Sequence, residues 1–81
     1  MSYKKLIPCI FIDEGKAVKW FDDREVLSEN AVSLAKYYSD HGADELLVFD
    51  LSSSDEEHEE AIEIMKKISR AIRIPMVAGG N

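Results

Sequence analysis

Four consecutive apolar residues, Leu46-Leu47-Val48-Phe49, run without a polar break and end on an acid, Asp50, followed by Ser52, Ser53 and Ser54. Gly42, just upstream, stops whatever helix precedes them. So short a continuous apolar run reads as a strand buried on both faces, the kind found in parallel sheets. Ligands of such sheets sit beyond the carboxyl ends of the strands. Asp50 and the serines after it are therefore candidates for a site. A plainer alternative stands beside this one, and residue types alone favour it: Asp50 orders the loop and the serines open the next helix.

The rest of the chain repeats the pattern. Residues Lys5 to Ile12 read as a first strand, with Pro8 a mild cost because it lacks an amide hydrogen. Asp13-Glu14-Gly15-Lys16 is a turn signal, and Ala17 to Trp20 a short return strand. Phe21 to Glu29 is charged and irregular and reads as a loop. A helix is predicted over about Asn30 to His41, capped by Ser28 or Asn30, with Ala31, Leu34, Ala35 and Tyr38 on its apolar face and Gly42 just past its end. His41 takes a structural role near the negative end of that helix dipole. The strand Glu45 to Leu51 follows. Ser54 and Glu57 then match a capping box, opening a second helix with Ala61, Ile64, Met65, Ile68 and Ile72 facing inward. Its acid run at 55–60 reads as a solvated helix start rather than a metal site, and His58 within it as exposed. A third strand, Ile74 to Ala78, leads into Gly79-Gly80-Asn81, where a phosphate turn and a plain tight turn are equally good readings.

The order is strand, hairpin, helix, strand, helix, strand. This is α/β architecture built from parallel βα units, and three such strands cannot close on themselves, since a barrel of this type needs eight. The expectation is a single partial segment, 1–81, of the amino-terminal part of a (β/α)8 TIM barrel, with self-association through uncovered strand edges. A small open sheet complete in itself is the alternative. The 81 residues carry a net charge of -6, which disfavours nucleic acid and anionic membrane as partners but not a small phosphorylated ligand. The lone Cys9 sits in an apolar run and reads as a buried thiol. No segment is long enough to span a membrane and no cleavage signal is evident, which makes cytoplasm the expected compartment. Nothing calls for a metal or an organic cofactor.

Several motifs together resemble one family. Ile7-Pro8-Cys9-Ile10, Gly15, Val18-Lys19, Leu34-Ala35-Lys36-Tyr37-Tyr38, Gly42-Ala43-Asp44-Glu45-Leu46, Phe49-Asp50, Ser54 and Ile74-Pro75-x-Val77-x-Gly79-Gly80 are similar to the start of the cyclase subunit family of imidazole glycerol phosphate synthase. The sister isomerase of histidine biosynthesis shares much of the pattern. The resemblance runs nearly the length of this chain and covers about the first third of a family member. It implies a (β/α)8 barrel that takes a bis-phosphorylated ribulosyl aminoimidazole carboxamide ribotide and ammonia, closes the imidazole ring and releases the carboxamide ribotide. It also implies a glutaminase partner on the amino-terminal face.

Carried over by residue, the resemblance implies catalytic or substrate-charge roles for Lys19 and Asp50. It implies phosphate binding at Gly79 and Gly80, with Asn81 departing from a glycine triplet, and a charged gate at Lys5 and Glu45. The family places a catalytic aspartate where this chain has Phe11. Phenylalanine cannot give or take a proton. Asp13 shares its side of the strand but lies about 6–7 Å further along, so it can substitute only with a rearranged loop. A diverged, non-catalytic barrel that binds a phosphorylated metabolite is therefore a second reading.

Overall fold

The computed structural model describes residues 4–20 and 22–80. Phe21 and Asn81, both used above, lie outside the described residues. The element order is β1 (Cys9–Asp13), β2 (Lys16–Trp20), β3 (Asp23–Ser28), α1 (Ala31–Asp40), β4 (Leu46–Asp50), α2 (Asp55–Ala71) and β5 (Met76–Gly80). The strands form one sheet in the order β3-β2-β1-β4-β5. β1, β4 and β5 run parallel, joined by the two helices, while β2 and β3 fold back antiparallel. The expected parallel βα units are present, with a hairpin inserted ahead of the first helix.

One face of the sheet packs against both helices. Ile10, Ile12, Ala17, Leu46 and Val48 meet Ala31 and Ala35 of α1 and Ala61 and Ile68 of α2, all buried. The alanines keep the helices close, and the apolar faces of both are those the three- and four-residue spacing picks out. On the opposite face Phe11 stacks on Phe49 at 5.3 Å between ring centroids and meets Trp20 edge-on at 5.0 Å. Alternation along β1 thus divides Ile10 and Ile12 from Phe11.

The helix ends follow local chemistry. Asn30 rather than Ser28 caps α1, accepting from the Ser33 amide at 3.0 Å, while Ser28 accepts from the Asn30 amide at 3.1 Å. At the other end Gly42 takes φ +93 and the Ala43 amide returns to the Tyr38 carbonyl at 3.1 Å, a Schellman closure. His41 Nδ1 lies 2.7 Å from the Tyr37 carbonyl, the structural role expected of it.

Some expectations are corrected. The stretch read as a loop from Phe21 to Glu29 contains β3. Three of its six residues are charged and five are exposed because it is an edge strand paired only to β2, with register shifts, so no buried face marks it in the sequence. The first strand begins at Cys9 rather than Lys5, after Pro8. The preceding segment still tracks β4 through Asp44 N–H to the Leu6 carbonyl at 2.8 Å and Leu47 N–H to the Pro8 carbonyl at 3.0 Å. Cys9 is exposed, not buried: it shares the Phe11 side of β1, the side no helix covers. The last strand spans Met76–Gly80, so both glycines lie inside it, and it is mostly exposed because it is the other edge of the sheet.

Candidate functional site

The carboxyl ends of β1, β4 and β5 come together in two rows. Phe11 faces Phe49, which faces Gly79; one step on, Ile12 faces Asp50, which faces Gly80. The first row carries its side chains to the aromatic face and the second to the helix face.

Asp50 is 3% exposed, and both of its carboxylate oxygens are used. Oδ1 accepts from the Ser52 amide at 2.9 Å, and Oδ2 meets His58 Nδ1 at 2.5 Å. Burial pushes the Asp50 carboxyl up, but hydrogen bonds from the Ser52 hydroxyl and amide and from His58, with the attraction of His58, outweigh it and hold the group below its ordinary value. An ionised carboxylate only accepts, so Nδ1 of His58 carries the proton in this contact and Nε2 is left for other partners. His58 is half-buried, which corrects the expectation that it is exposed. Four residues, Leu51 to Ser54, separate β4 from α2, and the fourth helical residue then points back at the strand tip. The cue missed in the sequence was this loop length combined with an acid at its start.

Ser54 caps α2, accepting from the Glu57 amide at 3.2 Å. Glu57 reaches back to the Ser53 amide at 3.2 Å rather than to that of Ser54, so the capping box closes one residue early. Ser53, Ser54, Asp55 and His58 line an open cleft of about 210 Å3 at this helix start. The plainer sequence reading thus holds in part: Asp50 does order the loop and Ser54 does open the helix.

Gly80 takes φ +98, and a Cβ there would lie 2.4 Å from the Asp50 carbonyl oxygen, so glycine is required on both counts. A Cβ on Gly79 would lie 3.3 Å from the Phe49 ring. The glycine pair therefore sits directly against Phe49 and Asp50.

The other singled-out residues are dispersed. Lys19 is exposed and pairs with Asp23 at 3.7 Å; alternation along β2 puts it on the side opposite Val18, which faces Phe11. Asp13 pairs with Arg24 at 3.2 Å and ends β1 on the Phe11 side. Lys5 and Glu45 lie at the other, amino-terminal end of the parallel strands, and among the described residues no ion pair joins them. Phe11, 8% exposed, is walled by Phe49 and Trp20. Among the described residues no group of three or more His, Cys, Asp or Glu side chains is placed to hold a metal ion, and no helix is long and apolar enough to cross a membrane.

Residues 5–80 match the family model described as Histidine biosynthesis protein. The whole chain aligns with curated relatives named imidazole glycerol phosphate synthase subunit HisF. It is 37% identical over 84 residues to that of Oceanobacillus iheyensis, covering 100% of this chain and 32% of the relative. It is 36% identical over 82 residues to that of Flavobacterium psychrophilum, covering 100% and 33%. It is 40% identical over 84 residues to that of Azobacteroides pseudotrichonymphae, covering 100% and 32%. The chain thus spans about a third of the length of these relatives.

Proposed function

The chain belongs to the histidine biosynthesis protein family, and on that premise we propose that it forms the first three parallel strands of a cyclase-type (β/α)8 barrel. It takes a phosphorylated ribotide at the carboxyl ends of β1, β4 and β5. The names of the HisF relatives favour the cyclase over the sister isomerase. The observation that carries the reading is the placement of Gly79 and Gly80 against Phe49 and Asp50, at the tips of adjacent parallel strands. Backbone without side chains at such a tip lets amides approach a phosphate closely. Asn81 follows the glycine pair in sequence, and Lys19 and Asp13, paired with Asp23 and Arg24, supply charge near the ligand in the same reading. Lys5 and Glu45 belong to the opposite end, where an ammonia-supplying glutaminase docks in the same reading. The setting is the cytoplasm, and no cofactor takes part.

Position 11 separates binding from catalysis. Phe11 packs between Phe49 and Trp20 and has no proton to offer. The reading is accordingly a ligand-binding barrel segment of cyclase ancestry, without ring closure at this position. Calorimetric titration of the chain with the carboxamide ribotide, beside a turnover assay on the ribulosyl substrate with ammonium salts, tests it. Binding without turnover is expected. No binding overturns the ligand assignment, and turnover overturns the non-catalytic assignment.

A further inference from the structure

Asp50 joins four parts of the molecule. Its main chain pairs with β5, where Gly80 is pressed against its carbonyl; its Oδ1 holds the Ser52 amide; its Oδ2 holds His58 on α2; and the next residue, Leu51, donates its amide to the Ile12 carbonyl at 2.9 Å. The carboxylate is buried, so its conformation is set by these donors and not by water. Ser52 lies within the same loop and moves with it. His58 is the one donor of the two that comes from a rigid element outside the loop.

We infer that His58 is a positioning residue for the Gly79–Gly80 tip of β5, acting through Asp50. The Nδ1–H of His58 fixes the carboxylate, the carboxylate fixes the Leu51–Ser54 loop and the tip of β4, and that tip sets the main-chain path of Gly80. This rests on the proposed ligand reading only for what the strand tip binds. The latch itself is a property of the chain with nothing bound. The charged groups beside His58 are Asp50 from β4, which it contacts, and Asp55 from the first turn of α2, which shares its cleft; Glu57 is occupied by Ser53.

The test compares the wild-type chain with His58→Phe, which keeps a ring and removes the donor, and His58→Asn, whose amide donates from near the Nδ1 position. Amide hydrogen exchange at Ser52 and Gly79 is the readout, with Ile10 and Val48 as internal controls. His58→Phe is expected to speed exchange at the two tip amides about tenfold or more, with the controls unchanged, and His58→Asn to restore it. A merely structural loss would move the controls as well and would not be rescued by the donor. Equal exchange in all three chains overturns the inference, as does failure of Asn to rescue. Should the Phe variant not fold, nitrogen NMR of the wild type decides: a proton on Nδ1 supports the latch, and a proton on Nε2 alone overturns it. Titration of the same chains with the carboxamide ribotide separates the two readings. A wild type that does not bind removes the ligand assignment, while the exchange pattern still decides the latch.

Discussion

Phe11 and Phe49 face each other across the parallel pair β1 and β4, with ring planes 17° apart. Their contact, closed at the side by Trp20, occupies the face of the sheet that no helix covers. It is the main apolar packing on that face. Phe11→Ala should lower stability by about 3 kcal/mol, as for other buried aromatic truncations. Phe11→Asp should cost at least as much, because it puts a carboxylate between two rings. Urea midpoints measure both. An aspartate variant as stable as wild type would mean that the rings do not hold this face together.

How much of this was legible in the sequence can be seen residue by residue. The runs Ile10–Ile12 and Leu46–Phe49 and the helical spacing of Ala61, Ile64 and Ile68 carry the fold because period and burial go together. β3 was not legible. Asp23, Arg24 and Glu25 sit on an exposed edge, where backbone pairing to β2 needs no apolar pattern. For the Asp50–His58 contact the sequence offers only the loop length and the acid at its start as a cue. The contact joins residues eight apart through a loop whose path depends on the carboxylate it orders, and propensity says nothing about that. The glycine pair was found, but its place inside β5 follows from pairing with Phe49 and Asp50, which is a tertiary fact.

The pH dependence of folding should carry the signature of Asp50. Its carboxyl is held below its ordinary value in the folded chain. The stabilisation is therefore present above the unfolded-state value and is lost as pH falls through the lower, folded one. Urea midpoints from neutral pH down through the acid range should fall more steeply in wild type than in Asp50→Asn, which has no such proton to take up. Parallel curves would remove Asp50 as a source of acid lability.

The cap of α2 gives a smaller, local effect. Ser54→Ala removes the acceptor for the Glu57 amide and should cost about 1 kcal/mol. Ser53→Ala should cost less, since Glu57 takes its main-chain amide, which alanine keeps. Thermal unfolding of the two variants ranks them, and the reverse order would show that the box closes on the other serine.

Two glycines at similar positive φ make a controlled pair. Gly42, at φ +93, has nothing within 4 Å of an added Cβ, so Gly42→Ala should cost only the backbone penalty of about 1 kcal/mol. Gly80, at φ +98, carries the same penalty and a Cβ 2.4 Å from the Asp50 carbonyl oxygen, main chain that cannot swing aside. Gly80→Ala should therefore cost clearly more, by roughly 1–3 kcal/mol beyond the first, and should weaken binding of any ligand at that strand tip. Equal losses would mean that the tip of β5 gives way freely.

The two edges of the sheet are unequal, and that predicts how copies meet. β3 carries Asp23, Arg24 and Glu25, the kind of charged edge that discourages pairing with another chain. β5, Met76-Val77-Ala78-Gly79-Gly80, carries no charge, has β4 as its one neighbour in the sheet, and leaves Val77 52% exposed. Its outer row of main-chain groups adjoins an apolar side chain, which is the pattern that recruits a further strand. Light scattering should show mass rising with concentration, Val77→Lys should return the chain towards a monomer, and Val26→Lys on β3 should change little. A wild-type chain that stays monomeric at high concentration, or an equal response to both lysines, would show that the β5 edge does not direct the association.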